Sequence, residues 1–101
     1  AQTGKPDDAK AEYETAIACE PETARLHLNY AGFLDTLGDE DAARKEFGKA
    51  VSLQPLSAEV HFALGVFFQK HGREADAKAA FANALKLDPV YVERKMRNWA
   101  L

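Results

Sequence analysis

A 34-residue period constrains this chain more than any other feature. Laid over itself at that offset, the sequence aligns Gly4, Gly38 and Gly72, and it aligns Pro21, Pro55 and Pro89. Between them fall Ala9, Ala43 and Ala77; Tyr13, Phe47 and Phe81; Ala16, Ala50 and Ala84; Ile17, Val51 and Leu85; and Cys19, Leu53 and Leu87. Residue classes that return in phase over three copies are the mark of a stacked supersecondary unit. Each unit is too small to bury its own apolar face and must borrow a neighbour's.

Within one period the spacing is helical. Ala43, Phe47, Ala50 and Val51 stand at i, i+4, i+7 and i+8, one stripe of a 3.6-residue helix, and Ala77, Phe81, Ala84 and Leu85 repeat it. Small residues around a single ring let two helices approach closely while the ring fills the space between them. A second helix precedes each stripe, with Tyr30, Ala31 and Leu34 on one face of 24–37, and Leu64, Gly65 and Phe68 on one face of 58–71. Gly38 and Gly72 end these helices in tight turns, and Asp39 is placed to cap the next one. Thr23 and Ser57 are N-cap candidates, and Pro21, Pro55 and Pro89 stand just beyond the other helices. The expected map is helices at 6–19, 24–37, 40–53, 58–71, 74–87 and 90 or 91 to about 99. No run alternates with period two, so no strand is expected.

A chain of 101 residues with 47% hydrophobic and 29% charged side chains has the composition of one folded domain. Apolar runs of the length needed to cross a bilayer are absent, so a transmembrane role is not expected. The start, Ala1-Gln2-Thr3-Gly4-Lys5, has neither Met nor a signal-like apolar stretch and implies a chain processed or excised from a longer one. The compartment is not readable from this; a soluble chain is expected, cytoplasmic ahead of periplasmic. Net charge is −3, divided into −7 over residues 1–41 and +4 over residues 42–101. An acidic chain is a poor phosphate-neutralising surface, so nucleic acid is not an expected partner. The short cluster Arg94, Lys95 and Arg97, flanked by Glu93, is too small to alter that.

These residues resemble the tetratricopeptide repeat, whose pattern of Trp, Leu-Gly, Tyr, Ala, Phe, Ala and Pro has the same period. Leu64-Gly65, Phe68, Ala77, Phe81, Ala84 and Pro89 match it in one unit, and Tyr30-Ala31, Leu34, Ala43, Phe47, Ala50 and Pro55 in the other. The resemblance implies an all-α fold, a right-handed superhelical stack of antiparallel helix hairpins with about six helices. Residues 3–23 correspond to a half repeat, 24–57 and 58–91 to full repeats, and 92–101 to a partial repeat or cap. The usual Trp is replaced by His27 and His61. After Pro89 the pattern decays, although Val92, Met96 and Trp99 keep a helical stripe with Trp99 expected in the core.

The family's similarity also implies a protein-protein interaction scaffold that takes peptide or helical segments in a concave groove lined by the first helix of each unit. Carried onto this chain, that groove comprises Arg25, Leu28, Gly32, Asp35 and Thr36, then Glu59, Phe62, Val66, Gln69 and Lys70, with Glu93 and Met96 on the last helix. Leu28, Phe62 and Val66 lie off the stripes used for packing within a repeat, so adjacent helices or a ligand must cover them. The Lys and Asn pattern of a carboxylate clamp is missing, since Leu28, Gly32, Glu59 and Ala63 hold the relevant positions and Asn29 alone resembles it. An apolar-anchored peptide is therefore the expected ligand. The alternative is self-association, as a homodimer, or a regulatory segment of a larger protein whose enzymatic or secretory domain lies outside this chain.

Little suggests chemistry. His27, His61 and His71 have no second His or Cys at ligand spacing, so no metal is expected. Cys19 shares the slot of Leu53 and Leu87 and is expected to be a small buried hydrophobe. The only serines, Ser52 and Ser57, flank turns, and no glycine-rich phosphate loop exists. Neither catalysis nor a cofactor is expected.

Overall fold

The computed structural model describes residues 6–100, and the side chains of residues 8–98. Six helices follow in order: α1 Pro6–Cys19, α2 Ala24–Thr36, α3 Glu40–Leu53, α4 Ala58–Lys70, α5 Glu74–Leu87 and α6 Pro89–Ala100. No strand occurs among the described residues. Helices α1, α2 and α3 belong to one compact unit ending at Leu53, and α4, α5 and α6 to a second beginning at Gln54.

The two hairpins, α2–α3 and α4–α5, are built by the same turn. Helix α2 stops at Thr36 and α4 at Lys70, each one residue before the expected end. The next residue is the cap, and the glycine after it takes a left-handed conformation, φ +88° at Gly38 and +75° at Gly72. The Gly38 N–H then donates to the Asp35 carbonyl and the Asp39 N–H to the Leu34 carbonyl, both at 3.0 Å. In the second hairpin the Gly72 N–H donates to Gln69 at 3.2 Å and the Arg73 N–H to Phe68 at 2.9 Å. This reciprocal pair satisfies carbonyls that the helix end would leave bare, and it needs a residue without Cβ at the left-handed position.

Helix starts are less uniform. The Asp39 carboxylate accepts from the Ala42 N–H at 3.2 Å and the Ser57 hydroxyl from the Val60 N–H at 3.3 Å, as expected of caps. Thr23 makes no side-chain cap bond. Pro89 is the first residue of α6 instead of lying ahead of it, because the Asp88 carboxylate takes the cap position and accepts from the Tyr91 N–H at 3.0 Å. Proline is well suited to that first turn, where its missing N–H has no partner to lose.

In the first unit Ala24, His27, Tyr30, Ala31 and Leu34 of α2 are buried, as are Ala43, Glu46, Phe47 and Ala50 of α3. Tyr13 of α1 stacks on Tyr30, centroids 5.4 Å apart, and meets Phe33 at 5.3 Å. In the second unit Ala58, Phe62, Ala84 and Val92 form one core cluster, with Val66, Phe81 and Tyr91 packed against it. Phe81 rests on Gly65: a Cβ there would lie 2.8 Å from Cδ1 and Cε1 of the ring. The first unit holds Ala31 at that repeat position, fully buried.

One expectation is corrected. Cys19 is exposed. Its repeat partners show why, because Leu53 is only half-buried and Leu87 is 37% exposed. The slot lies in the last turn of its helix, where apolar character recurs without burial. Trp99 falls outside the residues whose side chains are described.

Candidate functional site

The face of α2 turned away from its core carries Arg25, Leu28, Gly32, Asp35 and Thr36. Their separations of three, seven, ten and eleven residues from Arg25 keep them on one stripe. Arg25, Gly32 and Thr36 are exposed, and Leu28 and Asp35 are half-buried. The Thr36 hydroxyl donates to the Gly32 carbonyl at 2.9 Å. Gly32 leaves open space, with nothing within 4 Å of where its Cβ would stand. The face is thus shallow and mixed, with Leu28 as its apolar element.

In the second unit the corresponding residues separate by burial. Gln69 and Lys70 are exposed, Glu59 and Val66 are half-buried, and Phe62 is only 8% exposed. Phe62 meets Phe81 of α5 edge-on at 5.3 Å and Tyr91 of α6 at 6.2 Å with the rings perpendicular. Helix α6 therefore covers Phe62, and Val66 packs at the edge of the same cluster. Met96 of α6 stays 43% exposed and is the accessible apolar side chain of this set. Beside it the Arg97 guanidinium is held by Glu93 at 2.8 Å, and the Lys95 amine lies 5.7 Å above the Tyr91 ring.

The histidines that replace the expected tryptophans have a structural task. Both are buried. His27 Nε2–H donates to the Pro21 carbonyl at 2.8 Å, and His61 Nε2–H to the Pro55 carbonyl at 2.7 Å. The same six-residue reach ties each α2 or α4 helix to the turn before it. Among the described residues only the first unit adds a second bond: His27 Nδ1 lies 2.7 Å from Glu46 Oε1, while Glu46 Oε2 receives Lys49 at 3.3 Å. Nearby, the Tyr30 hydroxyl donates to Glu14 at 2.8 Å. Burial first, then that hydrogen bond and the negative charge of Glu14, Glu46 and Asp39, push its pKa up to about 12.

Among the described residues no group of His, Cys, Asp and Glu gathers so as to hold a metal ion. No described helix is long and apolar enough to cross a membrane. The first unit does contain a feature that the repeat pattern does not indicate, a cavity of about 670 Å³ lined by Ile17, Pro21, His27, Lys45, Gly48, Lys49, Ser52 and Leu53.

With hairpins, turns and packing residues in place, comparison with known proteins identifies the family. Tetratricopeptide repeat models match residues 1–58 and 58–89. The chain belongs to the tetratricopeptide repeat family. Among solved structures it is similar to TTC0263, a thermophilic tetratricopeptide repeat protein of Thermus thermophilus, at 26% identity and a TM-score of 0.82 over 94% of this chain and 48% of that one. It is also similar to MamA of MSR-1, at 26% identity and a TM-score of 0.73 over 83% of this chain and 48% of that one. A MamA structure of AMB-1 matches at 28% identity with a TM-score of 0.71, covering 82% of this chain and 49% of that one. The chain spans about half the length of each. No curated protein matches it. Tetratricopeptide repeats are interaction scaffolds for proteins and peptides, and that coarse function extends to this chain.

Proposed function

We propose that this chain is a non-catalytic scaffold that captures an apolar-anchored peptide or helix on the outer faces of its first-of-hairpin helices, the concave groove of the family. The observations that carry the reading are made in each unit by itself. Leu28 is left half-covered on α2 while five other α2 side chains fill the core, and Met96 is left 43% exposed on α6. Arg25, Asp35 and Thr36 share the stripe of Leu28 on α2, and Glu59, Val66, Gln69 and Lys70 are assigned to the corresponding face of α4. An accessible apolar anchor with a polar rim is how short segments gain both affinity and register. Phe62, 8% exposed against Phe81 and Tyr91, leaves little area for a ligand on α4.

The test is selection from a displayed library of random peptides. Enriched sequences should share an aliphatic or aromatic anchor and should lose binding to Leu28→Asp and Met96→Asp variants whose circular dichroism is unchanged. No enrichment, or enriched peptides that bind both variants as well as the parent, would refute the assignment.

A second reading, self-association into a homodimer, draws on Leu85 and Val90, which are 52% and 63% exposed in the second unit. Sedimentation equilibrium over a range of concentrations should then show a dimer that Leu85→Lys dissociates. A concentration-independent monomer mass would exclude it.

A further inference from the structure

The two buried histidines stand one repeat apart and differ in what surrounds the second ring nitrogen. His27 and His61 each bind a proline carbonyl through Nε2, at 2.8 Å to Pro21 and 2.7 Å to Pro55. A carbonyl oxygen can only accept, so Nε2 carries a proton in both rings. For His61 this is the one hydrogen bond of the ring among the described residues, and buried Ala80 holds the repeat position of Glu46. A neutral imidazole with its single N–H on Nε2 suits that environment.

His27 is placed differently, because its Nδ1 faces Glu46 Oε1 at 2.7 Å. A neutral ring that has given its N–H to Pro21 presents a lone pair there, and a lone pair facing a carboxylate oxygen at that distance is repelled. One further proton must lie between them. The Lys49 amine, 3.3 Å from the other oxygen of Glu46, favours the ionised carboxylate and so puts that proton on the ring. His27 is then an imidazolium with both N–H groups donating, joined to Glu46 by a charge-assisted hydrogen bond.

From this arrangement we infer that His27 and Glu46 form a pH-sensitive clasp, which takes up a proton as the first unit folds and fastens α2 to α3 more tightly in acid than in alkali. Around it stand Lys45 and Lys49 of α3, which border the same cavity as His27, and Glu20 and Glu22 on either side of Pro21. From α1, Glu14 is engaged by the Tyr30 hydroxyl of α2 at 2.8 Å. The cavity opens to solvent, which gives a buried ring a route for proton exchange. The folded pair binds more protons than the separate unfolded side chains. Its contribution is therefore present below the unfolded imidazole's value of about 6.5, down to where Glu46 itself protonates, and is lost as pH rises. Ala80 gives the second unit no such dependence through His61.

Long-range proton–nitrogen NMR of the 101-residue chain, with nitrogen-15 in its histidines, reads the proton directly. At about pH 7.5, His27 should show two protonated ring nitrogens and His61 one, on Nε2, with His27→Gln and His61→Gln assigning the signals. Urea unfolding between about pH 6 and pH 8.5 supplies an independent reading. Over that range the unfolding constant of the parent should rise about five-fold more than that of Glu46→Gln, the difference between a charge-assisted and a neutral hydrogen bond. The carboxamide can donate to a neutral Nδ1, so the variant has no need of the extra proton, and the titration of His71 is common to both chains. A His27 ring protonated at Nε2 alone at about pH 7.5 would overturn the inference. So would a Glu46→Gln chain whose unfolding is as sensitive to pH as the parent's.

Discussion

Truncating Phe62 to Ala should unfasten α6 from the second unit and destabilise the chain by about 3 to 5 kcal/mol. The ring is 8% exposed, so its transfer from water contributes roughly 2 to 3 kcal/mol. Removing it leaves a void on the order of 100 Å³ between α4, α5 and α6, worth up to about 2 kcal/mol if the walls do not collapse. Two edge-on aromatic contacts, to Phe81 at 5.3 Å and to Tyr91 at 6.2 Å, disappear with it. Urea unfolding followed by far-ultraviolet circular dichroism measures the total, and amide hydrogen exchange on α6 locates it. Exchange should rise along residues 90–98 in Phe62→Ala and, to a smaller degree, in Val92→Ala, which removes the facing side chain. The two losses should be less than additive, since they share one contact. A Phe62→Ala variant within about 1 kcal/mol of the parent, with α6 exchange unchanged, would refute the placement of α6 over Phe62.

Gly65→Ala should destabilise by about 1 kcal/mol, because a Cβ 2.8 Å from the Phe81 ring outweighs the gain in helix propensity; a stabilised variant in urea unfolding would contradict that contact. Glu46→Ala should cost about 1 to 3 kcal/mol by leaving the buried His27 Nδ1 unpartnered, with chemical denaturation as the readout and no change as the contrary result. The Tyr30 hydroxyl, with its pKa raised from 10.0 to about 12, sets an alkaline limit. Its folded-state value lies above the unfolded one, so its contribution is intact below pH 10 and is lost as pH climbs toward about 12. Comparing Tyr30→Phe with the parent across that window should show a shallower decline in the variant, and parallel declines would be inconsistent with the raised value.

The hairpins were legible because turn chemistry and packing recur in phase. Gly38 and Gly72 mark turns that only a left-handed residue closes, and Ala43, Phe47 and Ala50 announce a buried stripe by spacing alone. Burial that depends on a third helix was not legible. Phe62 falls off the hairpin stripe, so its side chain reads as open until α6 is seen to cover it. Cys19 failed for the opposite reason, since periodicity records apolar character at the slot while the helix end leaves it uncovered. The two histidines carried a usable signal in their six-residue separation from Pro21 and Pro55, repeated in both copies. Lys45, Gly48 and Ser52 read as ordinary helix surface, because the cavity they border is formed with α1 residues some thirty positions earlier and no local spacing links the two.

The most direct test of the scaffold function is calorimetry of a library-selected peptide against the parent and Leu28→Asp chains, at several temperatures and two salt concentrations. Capture through an apolar anchor predicts a negative heat-capacity change, an affinity little altered by salt, and loss of binding in the variant. A heat-capacity change near zero with a steep fall of affinity in salt, undiminished by Leu28→Asp, would contradict it.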